Sequence, residues 1–251
     1  MEFSFKRFGL GILTGLVFLY LYLFGVSALT NVHNAYLRLL SSKTVLLHNS
    51  SGSGATGFIA KGKSGKKYII TNGHVCNLNE NGKLFAIYKD DEYVVKVVKQ
   101  YQYNDLCAIE APQSAGMAAH IAGSFKEGES AYAIGHPLLE PTTVTLGELS
   151  GPVQISVMVA KNVTKEQCSG DTYRFIDLSG TLASMLFGFD SVCVRDLEAE
   201  AGTIAILPGN SGSPVVNIYG SIIGVAFAAN EYGTRSYVVP LDDLKDFLSS
   251  L

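Results

Sequence analysis

This sequence has little charge: Asp, Glu, Lys and Arg make up 16% of 251 residues, and 19 basic against 22 acidic side chains leave a formal net charge of −3. A chain without a basic excess has no surface for neutralising phosphates, so no nucleic-acid partner is expected. Metal-ligand spacing is absent too. There is no CxxC and no paired His/Cys pattern, so neither a metal nor another cofactor is expected. Cysteine is scarce: Cys76, Cys107, Cys168 and Cys193 allow two disulfides in an oxidising compartment, with three possible pairings, or four buried thiols acting as small apolar residues.

Apolar residues are abundant, at 47%, and one stretch concentrates them. Residues 8–29 are 22 positions without a charge, about 33 Å as a helix and enough to cross a hydrocarbon core of about 30 Å. Lys6 and Arg7 precede the run, which favours a cytoplasmic N-terminus and an extracytoplasmic remainder. Residues 1–29 therefore read as a cytoplasmic tip and single-pass membrane anchor. Val26-Ser27-Ala28 also offers a cleavage site, which would make the protein secreted, but the run exceeds the about 7 to 15 apolar residues of a usual signal. Residues 30–43, with Leu37, Leu39 and Leu40 at helical spacing, read as a linker to a domain at 44–251.

From residue 44 on, short runs rich in Val, Ile, Tyr, Phe and Thr alternate with glycine-rich or charged turns, which is the pattern of an all-β domain. Six runs (44–48, 57–60, 67–71, 84–88, 93–98 and 106–110) suggest a first antiparallel barrel over 44–111. Residues 111–129, with Pro112, Gly116, Gly123 and Gly128, read as a crossing segment. A second series lies at 130–134, 142–148, 153–160, 172–177, 191–195, 202–206, 214–217, 222–228 and 236–239. Pro240 then opens a helix at 241–251 with Leu241, Leu244, Phe247 or Leu248, and Leu251 on one face.

The segment with the most chemistry in it is Gly209-Asn210-Ser211-Gly212-Ser213-Pro214. It places a serine on a glycine-flanked turn before a strand, leaving the hydroxyl uncovered and the backbone free to converge its N–H groups, as acyl transfer on serine requires. Upstream, Thr71-Asn72-Gly73-His74 and Asn104-Asp105-Leu106-Cys107 supply a histidine and an aspartate. Each alone fits a turn serine, a surface imidazole and a strand-edge aspartate. In the order His74, Asp105, Ser211 they form a serine-hydrolase triad in the chain order of the two-barrel peptidases rather than that of the α/β-hydrolases. His136 is the competing histidine; Pro137 after it favours extended local backbone. Ser213 has no glycine two residues before it, where Gly209 gives Ser211 its donor arrangement.

These blocks, with Ala133-Ile134-Gly135-His136-Pro137-Leu138 and Tyr237-Val238-Val239-Pro240, resemble the trypsin-like peptidases, and within them the HtrA branch, over roughly residues 45–250; 161–195 match nothing in that pattern. The resemblance implies an all-β fold of two six-stranded antiparallel β-barrels with a C-terminal helix, here following an N-terminal transmembrane helix. It implies an oxyanion hole at the N–H groups of Gly209 and Ser211, and disulfides Cys76–Cys107 and Cys168–Cys193. At His136 the resemblance places a turn rather than the general base. A first specificity pocket would have Ala205 at its base and Ala228, Ala229 and Asn230 as its wall, suited to small or medium aliphatic side chains, whereas Arg235 would favour acidic residues if it pointed into the pocket rather than into solvent. Homotrimers are implied by the resemblance alone. HtrA proteins usually continue into a PDZ domain, for which this sequence has no residues left. Asn210 replaces the aspartate of zymogens activated by cleavage, so that route of activation is not expected. Ser213 stands where the family commonly has glycine, which would narrow the approach to the nucleophile. The activity implied is a serine endopeptidase cleaving unfolded or exposed polypeptide outside the cytoplasm. The alternatives are a chaperone-like binding protein on the protease scaffold and a self-processing maturation protease.

Overall fold

The β-branched and aromatic runs do form strands. The structure, a computed structural model, describes residues 36, 39–77, 83–101, 104–168, 173–230 and 232–251. The chain divides into units Met1–Ser41 and Ser42–Leu251; in the first, Tyr36 and residues 39–41 are helical. The apolar run at 8–29, read as an anchor, lies outside the described residues, among which no helix is long and apolar enough to cross a membrane.

In the second unit, β1 (Thr44–Asn49), β2 (Gly54–Lys61), β3 (Lys67–Asn72), β4 (Leu84–Tyr88), β5 (Asp91–Val94), β6 (Val97–Tyr101) and β7 (Leu106–Glu110) form an antiparallel sheet in the order β5-β4-β1-β2-β3-β7-β6. Its two edges are one bent stretch of chain, because β5 and β6 are separated only by Val95 and Lys96. At that corner Val95 N–H donates to Leu84 O and Glu110 N–H to Lys96 O, each at 2.9 Å. The run at 93–98 is therefore not one strand but two, and their connection closes the ring. Val45 and Leu47, two residues apart on β1, face inward onto Ile59, Ile69, Leu84 and Ile109. Burying each such side chain contributes about 1.5–3 kcal/mol.

The second sheet contains β8 (Ser130–Gly135), β9 (Thr143–Lys161), β10 (Tyr173–Asp177), β11 (Ser191–Gly202), β12 (Pro214–Asn217), β13 (Ile222–Ala229) and β14 (Ser236–Val239) in the order β10-β11-β14-β13-β12-β8-β9, with β9 also pairing β11. Each sheet thus has seven strands where six were expected. In the second, six close the ring and β10 is added outside it. Ala131, Leu149, Ile204, Val215, Ile223 and Val238 fill the interior.

Two differences from the sequence reading have one cause. Gly151-Pro152 read as a break between two strands, yet β9 runs on through it for 19 residues. Gly151 takes φ +109°, the ladder shifts register opposite Ala201 and Gly202, and the pair becomes a bulge rather than a turn. Beyond the bulge, β9 and β11 continue as a hairpin outside the barrel, from Pro152↔Glu200 to Lys161↔Val192, with β10 along β11. The described residues of 161–195, namely 161–168 and 173–195, lie in this region. Cys168 and Cys193 are bonded within it, and Cys76 and Cys107 in the first sheet, which are the two pairs that the resemblance implied. Of residues 202–206, expected as a strand, only Gly202 pairs in a ladder, and the rest take no regular structure. Two helices too short to show periodicity were not foreseen: α1 (Gly73–Asn77) and α2 (Leu182–Phe187).

The crossing segment and the terminal helix both join the sheets. In the crossing segment Ala119 N–H donates to Ile59 O at 2.7 Å and Ala122 N–H to Ile222 O at 2.9 Å. The terminal helix α3 (Leu241–Ser249), entered through Pro240, buries Leu241, Leu244, Phe247 and Leu248. Phe247 meets Tyr101 of the first sheet edge-on, with ring centroids 5.0 Å apart.

The first turn of α3 has an electrostatic cost. Burial, followed by the charges of Glu198, Asp246 and Asp242, raises the Asp243 carboxyl to about 6. Folded protein holds that proton in the range from about 4 to about 6 while unfolded chain releases it, so stability falls as pH rises through that range and the cost is complete above it. Asp243→Asn should therefore match the wild type near pH 4 and be more stable at pH 7, by up to about 1 kcal/mol after solvent screening. Urea midpoints at the two pH values check this; an equal difference at both would contradict it.

Candidate active site

His74 enters on α1, directly after β3, and Asp105 precedes β7. Asp105 takes φ +51°, a left-handed conformation that aspartate tolerates when its side chain bonds locally. Its carbonyl accepts Gly73 N–H at 2.8 Å and Asn72 Nδ2–H at 3.1 Å. Its carboxylate divides its work: Oδ1 accepts the His74 backbone N–H at 2.8 Å and Oδ2 lies 2.7 Å from Nδ1 of the imidazole. That second bond places the proton on Nδ1 and leaves Nε2 as the acceptor. Asp105 is buried, whereas the His74 side chain is 47% exposed. The Cys76–Cys107 disulfide fastens α1 to β7 beside this pair.

Ser211 sits on the turn before β12 and is not among the residues that line the cavity at His74 and Asp105, though Phe227, whose carbonyl accepts from its hydroxyl, is. Asn210 N–H donates to Leu207 O and Ser213 N–H to Asn210 O, both at 2.9 Å, and Gly212 N–H donates to Ala226 O at 2.8 Å. Gly209 and Gly212 have φ +97° and +84°. A Cβ on either would come within 2.5 Å of backbone oxygen, from His136 and Thr56 respectively, so both positions require glycine. Among the described residues, the N–H groups of Gly209 and Ser211 have no intramolecular acceptor. Ser211 Oγ donates to Phe227 O at 3.5 Å rather than to His74, a loose arrangement of a kind often seen before substrate binds.

Thr56, on β2, is the residue that sequence reasoning missed. Its N–H donates to Ser211 O at 2.8 Å and its Oγ1 donates to Gly209 O at 2.8 Å. The same hydroxyl accepts His136 N–H at 2.9 Å, and Thr71 Oγ1 donates to Thr56 O at 2.7 Å. One fully buried threonine of the first barrel therefore fixes both carbonyls flanking Asn210 in the second. A threonine inside a strand gives no sequence signal of this, because both partners lie more than 150 positions away.

His136 has structural bonds only. Nδ1 is 3.2 Å from Glu140 O, Nε2 is 3.4 Å from the hydroxyls of Thr44 and Thr142, and burial pushes its imidazolium below the usual range despite the Glu140 carbonyl. Ser213 is fully buried, so it does not narrow the approach to Ser211 as its sequence position suggested. A cavity of about 390 Å³ opens between His74 and Asp105 on one side and Val157, Tyr173, Arg195 and Phe227 on the other. Ala228 lines it; Ala205, Ala229 and Asn230 do not. Ala205 is exposed. Asn230 is committed to its own turn, its Oδ1 accepting from Thr234 and Arg235 N–H at 2.9 and 3.1 Å. Arg235 is exposed. No group of three or more potential metal ligands occurs among the described residues.

Two ring-closed antiparallel sheets with a His–Asp pair on one and a glycine-flanked serine on the other define a two-barrel serine-peptidase fold. The chain belongs to the trypsin-like peptidase domain family, which matches residues 55–225. It is similar to the serine protease Do-like HtrA of Bacillus subtilis, at 28% identity over 90% of this chain and 45% of the relative. It is also similar to the Do-like HtrA of Lactococcus lactis, at 28% identity over 84% of this chain and 47% of the relative. The chain thus spans less than half the length of these relatives. Among solved structures, the active form of the Rv3671c protease from M. tuberculosis superposes with a TM-score of 0.62 at 16% identity, covering 86% of this chain and 83% of the other. A serine endoprotease from Yersinia pestis gives 0.55 at 19%, covering 82% and 61%. At such identities the likeness is one of fold.

Thr56→Val leaves His136 N–H and Gly209 O without a partner, at a cost of about 3 kcal/mol. Its urea midpoint should fall and its Ser211 reactivity with a fluorophosphonate should slow, while Thr56→Ser retains both; a Val variant with unchanged reactivity would contradict the clamp.

Proposed function

We propose that this chain is a serine endopeptidase acting on polypeptide through an acyl-enzyme. The observation that carries the reading is the Asp105–His74 pair, bonded at 2.7 Å, opening on the same cavity as Phe227, whose carbonyl accepts from Ser211. Rotation of the Ser211 side chain away from Phe227 O would turn Oγ toward His74. The hydroxyl oxygen then attacks the scissile carbonyl carbon while Nε2 takes its proton. Asp105 holds the imidazole in the tautomer that can accept and stabilises the imidazolium. The oxyanion is received by the N–H groups of Gly209 and Ser211, each such donor being worth about 2.7–4 kcal/mol. Collapse expels the amine, which carries away the proton from Nε2, and water repeats the sequence on the ester, releasing the acid and restoring Ser211.

Of Ala205, Ala228, Ala229 and Asn230, Ala228 lines the cavity, and none of the four carries a charge, which favours small or medium aliphatic residues before the scissile bond. Two disulfides are consistent with an oxidising, extracytoplasmic compartment, and residues 8–29 would serve as the single-pass anchor. Homotrimerisation rests on resemblance alone.

A fluorophosphonate should label the wild type at Ser211, fail on Ser211→Ala and label His74→Ala much more slowly. Unchanged labelling of Ser211→Ala, or none of the wild type while it degrades an unfolded polypeptide, would remove the proposed nucleophile. In a peptide series varied only before the scissile bond, Ala and Val should be cleaved faster than Lys, Arg or Asp; a preference for Asp would point instead to Arg235.

A further inference from the structure

Arg195 lies on β11 in the hairpin outside the second barrel, and is 7% exposed. It is the middle strand's residue in a three-strand register, opposite Tyr173 of β10 and Val157 of β9, two positions from the Cys168–Cys193 disulfide. Its guanidinium Nη2 is 3.7 Å from Oδ1 of Asp105, a residue of the other barrel that is equally buried. A buried carboxylate or guanidinium by itself would be costly, and each makes the other tolerable.

We propose that Arg195 is a positioning residue for the triad carboxylate, so that the hairpin is part of the catalytic apparatus. The proposal rests on the triad reading given above. The two oxygens of Asp105 have separate tasks. Oδ2 must stay aimed at His74 Nδ1, 2.7 Å away, and that aim depends on what holds Oδ1. The His74 backbone N–H provides one hold, at 2.8 Å; Arg195 provides a second, from the opposite wall of the cleft. A carboxylate pivots about its Cβ–Cγ bond, so a cation on the far oxygen restrains rotation of the near one. Displacements of about 1 Å in such a group cost up to about a hundredfold in rate. The Arg195 guanidinium is itself aimed by the three-strand register and braced by the nearby disulfide, which links the order of residues 152–200 to the alignment of His74.

The test uses full-length protein with Arg195→Met, Arg195→Lys, Asp105→Asn and the Met/Asn double variant. Arg195→Met should lower kcat by about tenfold to a hundredfold with KM changed by less than about threefold, and Arg195→Lys should recover part of the loss. The decisive reading is coupling: in the Asp105→Asn background, Arg195→Met should cause no further loss in the rate of Ser211 labelling by fluorophosphonate. An equal loss in both backgrounds, a loss confined to KM, or wild-type kcat in Arg195→Met would overturn the proposal. If Arg195→Met does not fold, Arg195→Lys and the Cys168→Ser/Cys193→Ser protein take its place, with the same coupling to Asp105→Asn required. Failure of the triad reading is distinguishable, since it appears as a wild type unlabelled at Ser211.

Discussion

The turn that carries Ser211 belongs to the second barrel, and the imidazole proposed to activate it belongs to the first, so everything depends on a fixed relation between the two. Thr56 supplies that relation. It sits on β2, and it bonds the carbonyls of Gly209 and Ser211 with its hydroxyl and its amide, while Thr71, two residues before the start of α1, holds its own carbonyl. Through four short hydrogen bonds in a dry interior, the backbone conformation at Gly209 is set by a strand of the opposite barrel. Buried networks of this kind are valuable only when every member is satisfied, and here His136 contributes its amide to complete the set.

The remaining architecture serves the same relation from a greater distance. Helix α3 leaves the second barrel and seats Phe247 against Tyr101 of the first, and the crossing segment at 111–129 bonds to both sheets within four residues. The hairpin formed by β9, β10 and β11 adds a third bridge, as Arg195 reaches Asp105 from it. The cleft is consequently walled on one side by the first barrel and on the other by this hairpin together with Phe227 and Ala228 of β13.

Much of this was legible in the amino-acid sequence. The strands β4, β7, β12 and β14 have the limits that their apolar runs indicated, because each is short, continuous and bounded by turn residues. The glycines around Ser211 announced the turn, since no other residue fits φ near +90° against backbone oxygen. What failed to show was whatever depends on distant partners. Gly151-Pro152 carries the local signature of a turn, and only pairing with β11 makes it a bulge within a strand. The split between β5 and β6 follows from ring closure, not from any residue at the corner. Thr56 and Arg195 are unremarkable in their own segments and acquire meaning from Gly209 and Asp105. Asn230 was placed in a pocket wall by the family resemblance, and its amide here closes its own turn.

The proposed mechanism requires the two barrels to present one reacting geometry, which the structure of the protein covalently modified at Ser211 by a phosphonate would reveal. Ser211 Oγ is expected to be released from Phe227 O, with a phosphonyl oxygen within about 2.7–3.1 Å of the N–H groups of both Gly209 and Ser211, and Nε2 of His74 within hydrogen-bonding reach of the adduct while Nδ1 remains bonded to Asp105. An adduct whose oxygen faces away from those amides, with the imidazole still remote from it, would rule that mechanism out.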